Sequence, residues 1–306
     1  MRSVTYKIDF VKHRKTFLWI ALAIMVISIG SLLIQGLNLG IDFVSGSRLE
    51  IKLNQSVDLA KAKDALSELG YKKPNVRVGG TEDDILIFRL NETIDHQEKA
   101  KIEAKMNDTY QTKVSIQEQV VDPIIGREIA RNAIVSVLIA SVGIILYVAL
   151  RFEYRFAVAA ILALFYDAMF TIGLFSILQL EVDIVFIAAV LTIVGYSVND
   201  TIVIFDRIRE NVKLVNPKKW EELAKVVNES IHQTMIRSIN TMLTVVFAAL
   251  ALYVLGGESI GNFSLALLFG LLSGAYSSIF LASQIWVSWK WKSMQREKEE
   301  KPVVTE

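Results

Sequence analysis

The chain of 306 residues contains no cysteine, which excludes disulfide bonds and thiolate metal sites. Histidine is almost as scarce, and a zinc site is not expected because the three copies are scattered at His13, His96 and His232. The net charge of +1 says little about partners, since charges of both signs are segregated along the chain. Apolar residues, in contrast, make up 53% of the sequence, and the mean hydropathy is +0.41. This composition is too apolar for an ordinary soluble protein and indicates a membrane protein.

Six apolar runs are candidates to cross a membrane as helices, which need about 20 residues each. The first run is longer than the apolar core of a signal peptide and has no small-x-small site after it, so we expect an uncleaved anchor. The fifth is short unless its helix begins near Ile236. The six runs cover residues 17–34, 132–150, 157–180, 184–205, 241–255 and 262–286.

Lysine and arginine flank these runs on alternate sides. They are found in the N-terminal arm (residues 1–16), between the second and third runs, after the fourth run, and in the tail (residues 287–306). The short loops on the other side carry Glu181, Asp183 and Glu258 but no lysine or arginine. Because cytoplasmic loops are enriched in positive charge, both termini are predicted to be cytoplasmic and residues 38–131 to lie outside.

Residues 38–131 have the length of one small soluble domain. Apolar spacing predicts a strand, a helix, two strands, a charged helix and a last strand. This β-α-β-β-α-β order is that of a ferredoxin-like α+β fold, and its mixed surface charge favours docking or motion over chemistry. The predicted fold class is therefore a polytopic α-helical membrane protein with six transmembrane helices. One extracytoplasmic ferredoxin-like domain separates helix 1 from helices 2–6, and the latter fall within residues 132–286.

The fourth apolar run contains a carboxylate, Asp200. An acidic residue at the centre of a membrane helix costs about 2.5–3.5 kcal/mol on insertion scales. Residues three, four and seven apart share a helix face, which predicts a polar stripe facing the bundle interior or a water-filled path. The stripe consists of Thr192, Tyr196, Asn199, Asp200 and Arg207.

Asp200 has two interpretations, a structural hydrogen-bond anchor or a titrating carboxylate. Burial favours the protonated form of a carboxyl group and a nearby cation favours the ionised form, so a movable cation would switch it. Arg237, in a polar segment leading into the fifth run, is the candidate cation, or else a flanking positive charge. Asp167 in the third run is either a structural support or a member of the relay. Asp206 and Arg207 also fit a solvated helix exit.

The segment GYSVNDTIVIFDRIREN at 195–211 resembles the SecF signature of the SecD/SecF family, protein-export membrane proteins of the resistance-nodulation-division superfamily. Three other segments resemble motifs of that family in the same order: LGIDFVSGS at 39–47, DPIIG at 122–126 and SIHQTMIRSIN at 230–240. The resemblance covers nearly the whole chain. The sequence departs from the family pattern at Ser45 and Asp122, where the family often has glycine.

The resemblance implies a non-enzymatic subunit that pairs with SecD beside the SecYEG translocon, with YajC as a further candidate partner. Such a complex uses the proton-motive force, without a cofactor or nucleic acid, to complete export of unfolded preproteins across a bacterial or archaeal cytoplasmic membrane. The resemblance also implies that Asp200 and Arg237 belong to the proton pathway. Glycine and proline at the junctions of the outer domain are candidate hinges: Gly40, Gly46, Pro123 and Gly126.

Three other functions remain as alternatives. The first is an exporter of lipids or small amphiphiles; because the chain has no internal repeat, it would work as a paired half-transporter. The second is an intramembrane aspartyl protease using Asp167 and Asp200, although the spacing from Gly195 to Asp200 does not fit a Gly-x-Gly-Asp motif. The third is a passive scaffold in which Asp200 is purely structural.

Overall fold

The computed structural model describes residues 8–72, 74–80 and 83–299. The predicted N-terminal arm and C-terminal tail extend beyond this, so residues 1–7 and 300–306 lie outside the described residues. Strands in the described part are β1 Asn38–Leu39, β2 Gly46–Lys52, β3 Asn75–Gly79, β4 Ile85–Leu90, β5 Ser115–Val121 and β6 Glu181–Val182. Helices are α1 Arg14–Ile34, α2 Ile41–Val44, α3 Leu59–Glu68, α4 His96–Tyr110, α5 Pro123–Arg151, α6 Tyr154–Leu178, α7 Ile184–Val215, α8 Trp220–Leu255, α9 Glu258–Tyr276, the π-helix Ser277–Ala282 and α10 Ser283–Glu299.

Six helices in the described part are long and apolar enough to cross a membrane: α1, α5, α6, α7, α8 and the continuous run from α9 through the π-helix into α10. Several extend beyond the predicted apolar runs. Helix α5 begins at Pro123, because the Asp122 side chain accepts a hydrogen bond from Ile124 N and proline suits the first helical turn. Helix α8 begins at Trp220, since its first half buries an apolar face in the bundle.

The segment between α1 and α5 folds as a four-stranded antiparallel sheet in the order β3-β4-β2-β5, with α3 and α4. These elements follow each other as strand, helix, strand, strand, helix, strand. The helices close an apolar core that includes Leu49, Ile51, Phe88 and Ile102. Asp58 caps α3, accepting hydrogen bonds from the first-turn N–H groups. We call this unit the α+β domain.

The α+β domain rests on the turn between α6 and α7. Strand β1 pairs in parallel with β6, and Gly40 N donates a hydrogen bond of 2.7 Å to Val182 O. Strand β2 is consequently buried on both faces, rather than half-buried as its alternation predicted: Leu49 faces the domain core, and Arg48 on the opposite face is also buried. The sheet thus has one apolar face and one polar face turned toward the membrane helices.

The membrane bundle is organised around α6 and α9. A side chain at Gly270 of α9 would collide with Ile193 of α7, and one at Gly173 of α6 would collide with Ser28 of α1, so both helix pairs pack closely through glycine. At the opposite end from the α+β domain, Phe156 stacks on Trp286 with ring centroids 4.4 Å apart. Close packing of this kind fixes the relative position of the polar side chains in α6, α7 and α9.

Candidate functional site

Asp167 lies at the centre of the bundle with 0% of its surface exposed. Its Oδ2 accepts hydrogen bonds from Ser197 Oγ of α7 at 2.5 Å and Ser277 Oγ of the π-helix at 2.7 Å. Its Oδ1 accepts one from Ser273 Oγ of α9 at 2.5 Å. No lysine, arginine or histidine in the described part of the chain forms an ion pair with it within 4.0 Å. Asp167 therefore ties three helical segments to α6 through hydroxyl groups, and the sequence did not reveal these serines.

The π-helix lies directly beside this cluster. Its Ser277 contacts Asp167, and the next residue, Ser278, shares a hydrogen bond of 2.8 Å with Thr201 of α7. A π-helix inserted in a long helix is uncommon and often marks a functional position. The widened turn places the hydroxyl of Ser277 in contact with α6 and the hydroxyl of Ser278 in contact with α7.

Asp200 has different surroundings, at a small cavity between α7, α8 and α9. It is half-buried and lines a cavity of about 30 Å³, large enough for a water molecule. Ser197 lines the same cavity, together with Ser238 of α8 and Gly274 of α9. Because Ser197 also donates to Asp167, a single serine lies between the carboxylate of Asp167 and the cavity edged by Asp200.

The structure does not pair Asp200 with Arg237. No ion pair within 4.0 Å joins them among the described residues, and Arg237 is exposed on α8. Both residues nevertheless belong to the adjacent helices α7 and α8, and Ser238, the neighbour of Arg237, reaches the Asp200 cavity. Arg237 therefore interacts with Asp200 through its charge but does not form a direct ion pair with it in this conformation.

Three of the five residues in the polar stripe of α7 lie at the surface of this single chain rather than in the bundle interior as expected, while Asp200 and Arg207 are half-buried. Thr192 and Asn199 are exposed, and Tyr196 is 40% exposed. The apolar residues on the other side of the helix, including Ile193 and Phe205, are the ones buried against neighbouring helices. An outward polar face in a membrane helix calls for a covering partner or for water.

At the far end of α7, a polar network joins this helix to α8 and α5. Arg207 Nε donates to Gln233 Oε1 at 2.5 Å, and Asn211 Nδ2 donates to Ser230 Oγ at 2.9 Å and to Gln233 Oε1 at 3.1 Å. Asp206 forms a 3.1 Å ion pair with Arg151. The two segments 195–211 and 230–240, recognised separately as motifs, are thus in direct contact. Sequence reasoning had not singled out Gln233 or Asn211.

The candidate hinge residues lie at crowded contacts. At Gly46, φ is +122° and an added Cβ would fall 2.0 Å from Leu90 O, so only glycine fits. A Cβ on Gly40 would meet the Glu181 side chain at 2.9 Å, and one on Gly126 would meet Ser45 Oγ at 2.8 Å. Pro123 opens α5. Their role as hinges stays a prediction.

A second polar cluster, which the sequence did not predict, joins the α+β domain to the start of α7. Glu181 forms ion pairs with Arg89 of β4 and, at 3.8 Å, with Arg48 of β2. Asp42 Oδ2 accepts a 3.0 Å hydrogen bond from Ile184 N, and Asp183 Oδ1 accepts one of 2.7 Å from Phe186 N. Two carboxylates therefore stabilise the positive end of the α7 dipole. We call the side chains of this cluster the α7 clasp: Asp42, Arg48, Arg89, Glu181 and Asp183.

Burial raises the pKa of Asp183 above its usual value, although the hydrogen bond from Phe186 N and the charge of Arg48 act in the opposite direction. The nearby carboxylate of Asp42 raises it further. The N-terminal end of α7, at Asp183, therefore interacts electrostatically with Asp42 and with Arg48 of the α+β domain.

The family described as "Protein export membrane protein SecD/SecF, C-terminal" matches residues 101–292, and the "SecD/SecF GG Motif" matches residues 30–57. The chain belongs to the SecD/SecF family. The glycine motif covers the junction between α1 and the α+β domain, where Ser45 has φ +67° and ψ 169°. Such angles are characteristic of glycine, so the serine here is in a strained conformation.

Relatives in this family include the protein translocase subunit SecDF of Bacillus subtilis, 45% identical over 291 residues, which are 95% of this chain but 39% of the relative. The protein translocase subunit SecF of Alicyclobacillus acidocaldarius is 43% identical over 293 residues and covers 95% of both chains. The chain thus corresponds to under half of a SecDF protein and to nearly all of a SecF protein.

Solved structures give the same picture. SecDF from Thermus thermophilus, described as a translocon-associated membrane protein, matches 95% of this chain and 40% of its own with a TM-score of 0.84 and 35% identity. The Super-membrane-facing form of SecDF matches 98% of this chain and 41% of its own with a TM-score of 0.73 and 33% identity. The protein is therefore a multi-pass membrane protein with the architecture of the SecF-like part of SecDF.

Proposed function

We propose that this chain is the SecF-type half of a SecD–SecF complex that promotes late steps of protein translocation through SecYEG, driven by the proton-motive force. The observation that supports this proposal most is the exposed polar face of α7, where Thr192, Tyr196 and Asn199 lie beside the half-buried Asp200. Exposure of polar side chains to lipid is unfavourable, so this face needs a second helical half to cover it. In a complex with SecD, the covered face would become an internal polar path.

The proton route in this proposal starts at Asp200, crosses the adjoining cavity and reaches Ser197, which donates to Asp167. A water molecule in the cavity would bridge Asp200 and the serine hydroxyl. Arg237 approaches Asp200 in the state that favours the ionised carboxylate and withdraws when the group takes up a proton. The exposed side chain of Arg237 leaves room for this movement. No cofactor takes part, because the energy is that of the proton gradient.

The α7 clasp transmits the change to the α+β domain in this proposal. That domain is assigned to the outer side of the membrane and to the ferredoxin-like class, with both termini cytoplasmic; the strand order β3-β4-β2-β5 supports the class. A shift of α7 along its axis moves Ile184 against Asp42 and Glu181 against Arg89. The domain then turns at Gly40–Gly46 and Pro123–Gly126 and pulls on the unfolded preprotein. YajC is a further proposed partner.

Translocation of a preprotein into inverted membrane vesicles, with and without a proton gradient, tests this function. Asp200→Asn keeps the shape and hydrogen-bonding capacity of the side chain, and we expect it to abolish the gradient-dependent part of translocation. The matched control is Asp206→Asn, on the same helix but in an exposed ion pair, which should leave translocation unchanged. Normal gradient-dependent translocation with Asp200→Asn would refute the proposal.

A further inference from the structure

A cavity of about 520 Å³ lies between the polar face of the α+β sheet and the helix ends beneath it. Arg48 of β2 and Arg77 of β3 line its upper side, and Glu181 lines the edge formed by the α6–α7 turn. The lower wall comes from the end of α8, with Tyr253, and the start of α9. The cavity therefore lies at the level where the membrane helices end, which is the level of lipid headgroups.

The two arginines in this cavity have unused hydrogen-bonding capacity. Arg48 is 9% exposed, and its Nε is buried without a hydrogen-bond partner in the described part of the chain. Arg77 donates to Gln179 O at 3.0 Å and has no carboxylate within 4.0 Å among the described residues. Burial, followed by the charge of Arg48, lowers the pKa of Arg77. A half-buried, uncompensated cation of this kind favours an anionic ligand.

Among the described residues that line the cavity, Glu181 is the only carboxylate, and it does not cancel this charge. Glu181 is engaged by Arg89 as well as by Arg48, and Arg48 also pairs with Glu50 at 2.7 Å. Arg77 is thus left as the positive group available to a ligand. Its guanidinium can hold a phosphate through two parallel hydrogen bonds, a geometry that suits arginine in particular.

The lower wall of the cavity continues onto an exposed apolar surface. Tyr253 and Val254 line the cavity and are about half exposed, and Leu255 next to them is 83% exposed. Tyrosine is enriched at membrane interfaces because its ring is apolar and its hydroxyl is polar. A ligand with an anionic head at the arginines and an apolar tail along α8 would complement both walls.

We propose that this cavity binds the phosphate-bearing headgroup of an anionic glycerophospholipid, with its acyl chains along the exposed end of α8. The lipid bridges the α+β domain and the helix ends, and so holds the domain in the docked position seen here. An extended polypeptide on the edge strand β3 is the alternative occupant. The apolar wall belongs to a membrane helix and the free charge is a single guanidinium, which together fit a lipid better.

Native mass spectrometry of the full chain in neutral detergent tests this site, with dioleoyl phosphatidylglycerol as the probe. We expect phosphatidylglycerol to bind and Arg77→Gln to weaken it about tenfold, the loss of one charge-assisted contact. The control is Arg127→Gln, an exposed arginine near the start of α5, which should bind as the unmodified chain does. Dioleoyl phosphatidylcholine and inorganic phosphate should bind at least about fivefold more weakly.

A steric variant tests the cavity without changing any charge. A Cβ at Gly261 of α9 meets no atom within 4 Å, so Gly261→Leu should fold while filling the cavity and should abolish lipid binding. Gly143→Leu is the matched control, since Gly143 in α5 is equally open but remote from the cavity. Equal weakening by Arg77→Gln and Arg127→Gln, or unchanged binding to Gly261→Leu, would overturn the proposal. Inorganic phosphate binding as tightly as the lipid would do the same.

Discussion

Asp167 and Asp200 lie on neighbouring membrane helices, yet they differ in burial and in the number of hydrogen bonds that hold the carboxylate. Asp167 is fully buried and has three serine donors, from α7, α9 and the π-helix. Asp200 is half-buried at the edge of a small cavity between α7, α8 and α9, next to the exposed Asn199. The first carboxylate organises the bundle, whereas the second is accessible to water, a cation or a partner.

The difference shows that the presence of an acidic residue in a membrane helix does not by itself reveal its role. Buried polar groups with complete hydrogen bonding stabilise and specify a packing arrangement. A group with few fixed contacts can change its protonation state without breaking the fold. Ser197 connects the two cases, since it donates to Asp167 and lines the cavity at Asp200.

The largest expected effect on stability is that of Asp167→Ala. Removing this carboxylate leaves the hydroxyl groups of Ser197 and Ser273 without this acceptor in the protein interior, and leaves Ser277 with its weaker 3.2 Å bond to Gly274 O. We expect the free energy of unfolding in detergent to fall by about 2–4 kcal/mol, since each buried unpaired group is costly. Asp206→Ala, in an exposed ion pair, should change it by less than about 0.5–1 kcal/mol. Similar values for both variants would contradict the structural role of Asp167.

Two serine variants separate packing from proton transfer. Ser197→Ala and Ser277→Ala each remove one donor to Asp167 Oδ2, so each should lower the free energy of unfolding by about 1 kcal/mol. Only Ser197 lines the Asp200 cavity, so only Ser197→Ala should also slow proton flux through the complex with SecD. If both variants slow the flux equally, the route does not run through Ser197.

The smallest expected effect on stability is that of Asp200→Asn in the isolated chain. Asp200 has no ion pair within 4.0 Å in the described residues and is only half-buried, so the free energy of unfolding should change by less than about 1 kcal/mol. Thermal unfolding of the Asp200→Asn and Asp167→Asn variants, measured under the same conditions, tests this expectation. A loss as large as that of Asp167→Asn would show that Asp200 is a packing residue after all.

The sequence was sufficient for the elements with strong periodicity. Six apolar runs became six helices, and the alternating and helical patterns between the first two became the strands and helices of the α+β domain. These predictions succeed because local apolar spacing determines which face of an element is buried. The helices begin earlier than the apolar runs where caps and amphipathic turns extend a helix beyond its apolar centre, as at Pro123 and Trp220.

The polar contacts were much less accessible to sequence reasoning. Asp167 meets Ser273 and Ser277, more than 100 positions along the chain, and nothing in the local pattern marks those serines. Glu181 read as an ordinary acidic loop residue, although it holds the α+β domain through Arg48 and Arg89. The burial of each residue in the α7 stripe depends on which side of the helix the neighbouring helices cover. Such facts follow from tertiary packing.

The most direct test of the central claim is proton flux into vesicles that contain this chain together with SecD, under an imposed pH gradient. The account predicts that Asp200→Asn reduces the flux at least about tenfold, a barrier increase of roughly 1.4 kcal/mol or more, while Asp206→Asn leaves it unchanged. Flux through the Asp200→Asn complex equal to that of the unmodified complex would contradict the assignment of Asp200 as the proton-carrying group.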